Sequence, residues 1–130
     1  MRRLKRCALM GDLETVAEAG QWAELRNILQ RIAKEPNKAK ENLKSAAACL
    51  DDDKQYEKAE ALIVEYLEYL SQVDFKNYYD NVGQISVTQE MQFKDFSLKC
   101  AQAAGKKLDE FIRLMPEEQL EAARSQLNVF

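Results

Sequence analysis

The 130-residue sequence contains no histidine and has few glycines and prolines. Without histidine the chain lacks the commonest general base of enzymes, the Ser-His-Asp triad and the commonest transition-metal ligand in proteins. Its 4 glycines are isolated from one another, which excludes the glycine-rich loops that bind nucleotide phosphates. We therefore expect no enzymatic activity, no bound cofactor and no metal site.

Three consecutive aspartates, Asp51, Asp52 and Asp53, suggest a cation site at first sight. A calcium-binding loop of the EF-hand type would also need a glycine and a later glutamate at fixed positions, and both are absent here. Aspartates at the start of a helix accept hydrogen bonds from free amides and oppose the positive end of the helix dipole. We therefore interpret the run as a helix N-terminus.

The 3 cysteines, Cys7, Cys49 and Cys100, lie far apart and form no CxxC pair. Their odd number indicates that no dense disulfide framework exists, although one bridge remains open. Cys49 and Cys100 both fall on apolar helical stripes. We expect these two side chains to be buried free thiols.

Long apolar runs are also missing, and none approaches the ~20 residues that span a bilayer. The basic start, Met1 to Arg6, is not followed by the apolar core of a signal peptide. Either the chain is made without a targeting segment or it is the mature part of a longer precursor; the sequence leaves both open. A net charge of −3 lacks the basic excess of nucleic-acid-binding proteins, so we expect no nucleic acid as partner.

The residues that are abundant, Ala, Leu, Glu, Lys and Gln, favour helix at most positions. Apolar residues recur in steps of three and four along nearly the whole chain, as on one face of a helix. The sequence predicts a single all-α domain over residues 1–130, an up-down-up-down four-helix bundle with a short extra C-terminal helix. The predicted helices cover residues 4–19, 21–50 with a kink near 36, 53–76, 86–115 and 117–127.

Glycine and proline locate the ends of the first two helices. Gly20 ends the first helix, because glycine readily adopts the left-handed conformation that follows a helix. Pro36 occupies one position of an apolar stripe that continues on both sides of it, which favours a kinked helix. The alternative is a break at Glu35, with Pro36 as the first residue of a new helix.

Residues Asn77–Gln84 predict a loop, and Ser86 or Thr88 is expected to cap the helix that follows. The apolar stripe of that helix includes Phe96, and Gly105 within it permits close helix packing. We expect Trp22 and two tyrosines at helical spacing to be core residues: Tyr66 and Tyr69.

Charge is unevenly distributed along the chain. Residues 21–44 carry six Lys or Arg against three Glu, whereas residues 51–74 carry eight acidic residues against two Lys. Neighbouring antiparallel helices of opposite charge can complement each other. The second interpretation is a basic face that attracts an acidic partner. The candidate partner-binding residues of this face are Arg2, Arg3, Lys5, Arg6, Arg26, Arg31, Lys34, Lys38, Lys40 and Lys44.

Four stretches of the chain resemble a family of helical proteins, the PsbQ-like extrinsic subunits of photosystem II. They include a helix opening with tryptophan, a hairpin arm, an aspartate-terminated third helix and a closing helix: Gly20–Leu29, Lys40–Leu43, Ala59–Asp74 and Lys106–Pro116. The likeness extends over roughly Met10 to Pro116, and the algal and diatom branch looks closer than the plant one. Two departures are visible: the proline-rich N-terminal arm of plant members is absent, and residues beyond Pro116 extend past the usual end.

The resemblance implies a four-helix bundle in the thylakoid lumen of a plastid, a mature chain left after removal of a targeting segment. Such a subunit is peripheral to the membrane and docks on the lumenal face of the photosystem II core, beside other extrinsic subunits. There it stabilises the oxygen-evolving centre and helps to retain calcium and chloride, without catalysis and without binding the manganese cluster itself.

Two other classes of function are compatible with a helical chain. Stretches that begin at Gln21 and Tyr56 are roughly 34 residues apart, the period of tetratricopeptide repeats, which would indicate a protein–protein adaptor or assembly factor. The other positions of that repeat do not recur, and a stacked array normally needs at least three units. An enzyme or ligand carrier with a cavity between helices would need converging polar groups, and none falls on the apolar stripes.

Overall fold

A computed structural model describes residues 8–34, 38–74 and 87–117 of the chain. All regular structure in these ranges is helical, in five helices that we number in chain order. They are α1 (Ala8–Ala19), α2 (Trp22–Ala33), α3 (Ala39–Ala47), α4 (Asp53–Val73) and α5 (Val87–Leu114). The all-α class is therefore confirmed for the described residues. Several predicted features lie outside those residues: the helix start at 4–7, the kink at Pro36, the 77–84 loop, the Ser86 cap and nearly all of the 117–127 helix.

The end of α1 is set by Gly20, as predicted. Its φ of 71° is left-handed, and its amide donates to the Ala17 carbonyl while the Gln21 amide donates to the Val16 carbonyl. These two bonds form a Schellman motif, which satisfies carbonyls that the helix leaves unpaired. The stem of Lys94 in α5 occupies the place where a Cβ on residue 20 would lie. The left-handed conformation favours glycine here, and a larger residue would also displace the flexible Lys94 stem.

Residues 21–50, predicted as one helix kinked near 36 or as two helices with a break at Glu35, contain two helices, α2 and α3. Helical conformation ends at Ala33, Lys34 is extended with ψ of 171°, and Lys38 is left-handed with φ of 34°. The Lys38 amide donates to the Lys34 carbonyl at 2.9 Å, which holds the start of α3 near the end of α2. A proline removes one backbone donor and disfavours helical conformation in the residue before it, so the continuous apolar stripe does not produce a continuous helix.

The start of α4 confirms the interpretation of the aspartate run. Asp52 is the N-cap, and its carboxylate accepts hydrogen bonds from the amides of Lys54 at 2.8 Å and Gln55 at 3.3 Å. Asp53 is the first helical residue, where its charge opposes the dipole. At the start of α5, by contrast, Thr88 lies inside the helix and is not its cap.

The helices share one apolar core. α1 packs against α2 and α5, α4 packs against α3 and α5, and α2 contacts α3. Tyr66 of α4 is almost fully buried and donates its hydroxyl proton to the thioether of Met10 in α1 at 3.4 Å. Trp22 is buried as predicted, Tyr69 packs at the edge of the core, and Gly105 is buried in α5.

Two predictions of burial are wrong. Phe96 is 36% exposed, because the buried position on that turn of α5 belongs to Ser97. Cys49 is exposed, because α3 ends at Ala47 and the apolar stripe was extended past the end of the helix. Cys100 is a buried free thiol, as predicted.

Candidate docking surface

The ten basic residues predicted to bind a partner fall into three groups in the structure. Four of them lie outside the described residues: Arg2, Arg3, Lys5 and Arg6. One, Arg26, is held by an acidic residue of the same chain. The remaining five are exposed on α2, on α3 or in the turn between them: Arg31, Lys34, Lys38, Lys40 and Lys44.

Arg26 is removed from the candidate surface by its ion pair. Its Nε lies 2.9 Å from Oδ2 of Asp74, the residue that follows α4, and the Asp74 side chain is only 17% exposed. Arg31 follows Arg26 by five positions, which places the two side chains about 140° apart around α2. Arg26 therefore joins α2 to the end of α4 and does not share a face with the other cations.

Trp22 makes a similar connection one helical turn earlier. Its indole Nε1 donates to Oε1 of Glu90 in α5 at 2.9 Å, while the ring itself is buried. Trp22 and Arg26 thus bind acidic side chains on both sides of the 75–86 segment. Helical spacing indicates that the two share a side of α2, but nothing local in the sequence identifies Glu90 and Asp74 as their partners.

The exposed part of α2 borders an open depression of about 520 Å³. Arg31 and Lys34 lie at its border with Glu24, and the mostly buried Ile28 also lines it, together with two polar amides: Asn27 and Gln30. The depression offers hydrogen-bonding groups and two cations beside one apolar side chain, Ile28. It is therefore better suited to a charged partner surface than to an apolar ligand.

The cations of α3 continue this surface beyond the turn. Lys40 and Lys44 are four residues apart, so they lie one above the other on an exposed side of the helix. The backbone bond between Lys38 and Lys34 keeps the start of α3 close to the end of α2. The sequence reveals the cations but not the turn that brings the two helices together.

Three of these cations form what we call the lysine row: Lys34, Lys40 and Lys44. All three are exposed, and none of their ammonium groups forms an ion pair with another described residue. Charge complementation between α3 and α4 predicts ion pairs between these helices, and Lys40 and Lys44 form none with the described part of α4. Three exposed positive charges, one at the end of α2 and two on α3, thus have no ion-pair partner among the described residues.

Other charged groups bind each other between helices. Lys107 of α5 lies 2.7 Å from Glu65 of α4 and 3.7 Å from Glu110. The hydrogen bond to Glu65 raises the pKa of Lys107 above its usual value. This ammonium therefore belongs to the α4–α5 contact and not to a docking surface.

Two polar side chains in the described core, Ser97 and Cys100, have partners on α4. The Ser97 hydroxyl donates to the carbonyl of Val73, the last residue of α4, at 2.6 Å. Burial raises the pKa of the Cys100 thiol, whose sulfur lies 3.8 Å from Oε1 of Gln72. Among the described residues, no three His, Cys, Asp or Glu side chains are grouped so as to hold a metal ion.

No helix in residues 8–34, 38–74 and 87–117 has both the length and the apolar character to cross a membrane. A comparison with protein-family models, curated proteins and solved structures gives no match to this chain.

Proposed function

We propose that the protein is a non-catalytic accessory subunit that docks through its lysine row on an acidic surface of a larger complex. Following the resemblance in the sequence, the proposed complex is photosystem II. The proposed site is its lumenal face in the thylakoid of a plastid, where the subunit would be peripheral to the membrane. Its role there would be to stabilise the oxygen-evolving centre and the retention of calcium and chloride.

The observation that carries this proposal is that Lys34, Lys40 and Lys44 are exposed and form no ion pair with any residue that the structure describes. Arg26 and Lys107 show that this chain does bind its cations internally where an acidic partner is in reach. Several cations on one surface raise the association rate with an acidic partner at low salt, and salt screens this attraction. A docking subunit needs such a surface and no reactive group.

The fold proposed for this subunit is the up-down-up-down four-helix bundle, with α2 and α3 together forming one of its four arms. The contacts support it, because α1 packs on α2, α3 on α4, α4 on α5 and α5 on α1. This is the closed ring of neighbours that such a bundle has. A body of this kind presents its charges on rigid helices.

The proposal is tested by adding the purified protein to photosystem II particles that have been stripped of extrinsic subunits by a salt wash. We expect binding at low salt, release at molar salt, and partial recovery of oxygen evolution that depends on calcium and chloride. Retention through the molar-salt wash would contradict charge-driven docking. Absence of binding at low salt would contradict photosystem II as the partner.

A protein–protein adaptor or assembly factor built from helical repeats is the second candidate. The repeat that would begin at Gln21 corresponds to the two short helices α2 and α3, with 12 and 9 residues. The later helices α4 and α5, with 21 and 28 residues, do not repeat that pattern. Binding to partners that persists at molar salt would favour this candidate, because repeat proteins also bind through apolar grooves.

A further inference from the structure

One face of α4 is acidic over most of its length. At about 100° per residue, Asp53, Glu57, Glu60 and Glu68 project within an arc of about 80°, and all four are exposed. Val64 lies within the same arc and is 55% exposed, one of the large apolar side chains that the described residues leave outside the core. We call these five residues the acidic face.

The acidic face is not neutralised within the described part of the chain. Asp53, Glu57 and Glu68 make no side-chain ion pair there, and Glu60 accepts only the hydroxyl of Tyr56, at 2.7 Å. Lys54 and Lys58 project to another side of α4, about 100° and 140° from Asp53. The face therefore presents negative charge around one exposed valine.

Two complementary surfaces consequently lie on neighbouring helices, the lysine row on α2–α3 and the acidic face on α4, which packs against α3. In a two-fold dimer, a contact between the lysine row of one copy and the acidic face of the other occurs twice. A chain that carries adjacent surfaces of opposite charge therefore satisfies the condition for self-complementary pairing.

We infer that two copies of this chain associate, with the lysine row of each copy against the acidic face of the other. Such an interface consists mainly of exposed ion pairs, each of which contributes little, so association is weak and sensitive to salt. It occupies the same lysines as the proposed docking on a larger complex. Self-association and docking therefore exclude each other, and an acidic partner displaces the second copy.

The test measures the mass of the full chain by sedimentation over increasing concentration at low and at molar salt. We expect the apparent mass to rise above the monomer's 15.0 kDa at low salt only. Lys40→Glu/Lys44→Glu and Glu57→Lys/Glu68→Lys should each remain monomeric alone, because each places like charges at both contacts. A 1:1 mixture of the two variants should associate at lower concentration than the unmodified protein.

The control for this mixture is Asp12→Lys/Glu18→Lys, two exposed acidic residues of α1. Each reversal changes the charge by two, so this variant and Glu57→Lys/Glu68→Lys both shift the net charge from −3 to +1. The α1 variant keeps both surfaces, so it should pair with itself as the unmodified protein does. It should form no mixed dimer with Lys40→Glu/Lys44→Glu, although the net charges of the two mixtures are the same.

A monomer at all concentrations at low salt would overturn the inference, as would a mixture that forms mixed dimers no better than the control mixture. Association that persists in molar salt would overturn it too, since it would indicate an apolar interface. Glu57→Lys/Glu68→Lys retains the lysine row, so it should still bind photosystem II particles. Its binding there, without self-association of the unmodified protein, would overturn this inference and leave the proposed function standing.

Discussion

Ser97 provides the sharpest test of the packing, because its side chain is completely buried between α4 and α5. Its hydroxyl donates to the Val73 carbonyl at 2.6 Å, at the C-terminal end of α4, where a helix leaves carbonyls without intrahelical partners. Ser97→Ala removes this bond without creating a large cavity. A hydrogen bond contributes about 0.5–1.5 kcal/mol, and a buried carbonyl that loses its partner costs about 1–3 kcal/mol. We expect Ser97→Ala to lower the free energy of unfolding by about 1–2 kcal/mol.

Ser71 is the matched control for this substitution. Its hydroxyl also donates to a backbone carbonyl at 2.6 Å, that of Glu68, but Ser71 is exposed and water can replace the bond. Ser71→Ala should therefore change the free energy of unfolding by less than about 0.5 kcal/mol. Urea unfolding followed by circular dichroism measures the free energy of both variants. In thermal unfolding, Ser97→Ala should lower Tm by roughly 4–8 °C. Equal effects of the two substitutions would refute the assignment of Ser97 as a buried partner of α4.

Three further substitutions test local features of the fold. Asp52→Ala should destabilise the protein by about 1 kcal/mol in urea unfolding, because the cap of α4 is lost. Asp51→Ala is the control and should change the stability little. Equal losses of stability in the two variants would contradict the cap. Lys38→Gly should stabilise by up to about 1 kcal/mol, since it relieves a left-handed φ, while Lys44→Gly inside α3 should destabilise by a similar amount. A loss of stability in Lys38→Gly would contradict that conformation. In a Cys7→Ser background, an aromatic disulfide reagent should modify the exposed Cys49 rapidly and the buried Cys100, with its raised pKa, only on unfolding; equal rates would contradict their placement.

Features with a local cause were predictable from the sequence. Gly20 ends α1 because its conformation depends only on the residues beside it, and the Asp52 cap depends on two amides in the next turn. The helical class follows from composition and apolar periodicity, which act along each helix separately. These signals need no knowledge of how distant segments meet.

The features that the sequence did not reveal depend on contacts between distant segments. The sequence predicts Arg26 to be a surface cation. In the structure it binds Asp74, which is 48 residues away in the sequence. Ser97, and not Phe96, is buried on that turn of α5, where its hydroxyl donates to the Val73 carbonyl at the end of α4. The sequence left open whether the helix kinks or breaks near Pro36, since an apolar stripe can continue in register in either case.

The candidate surface was predictable in part. Composition alone identified the basic stretch, but not which of its cations have internal partners. The structure removes Arg26 and leaves the lysine row, and this selection required the positions of acidic residues on other helices.

The most direct test of the lysine row compares two matched double reversals in binding to salt-washed photosystem II particles at low salt. Lys40→Glu/Lys44→Glu lies in the row on α3. Lys54→Glu/Lys58→Glu makes the same charge change at the same spacing on exposed positions of α4. We expect the first variant to bind at least roughly tenfold more weakly than the unmodified protein, and the second to bind within about twofold of it. Equal weakening of both variants, or full binding by the first, would contradict docking through the lysine row.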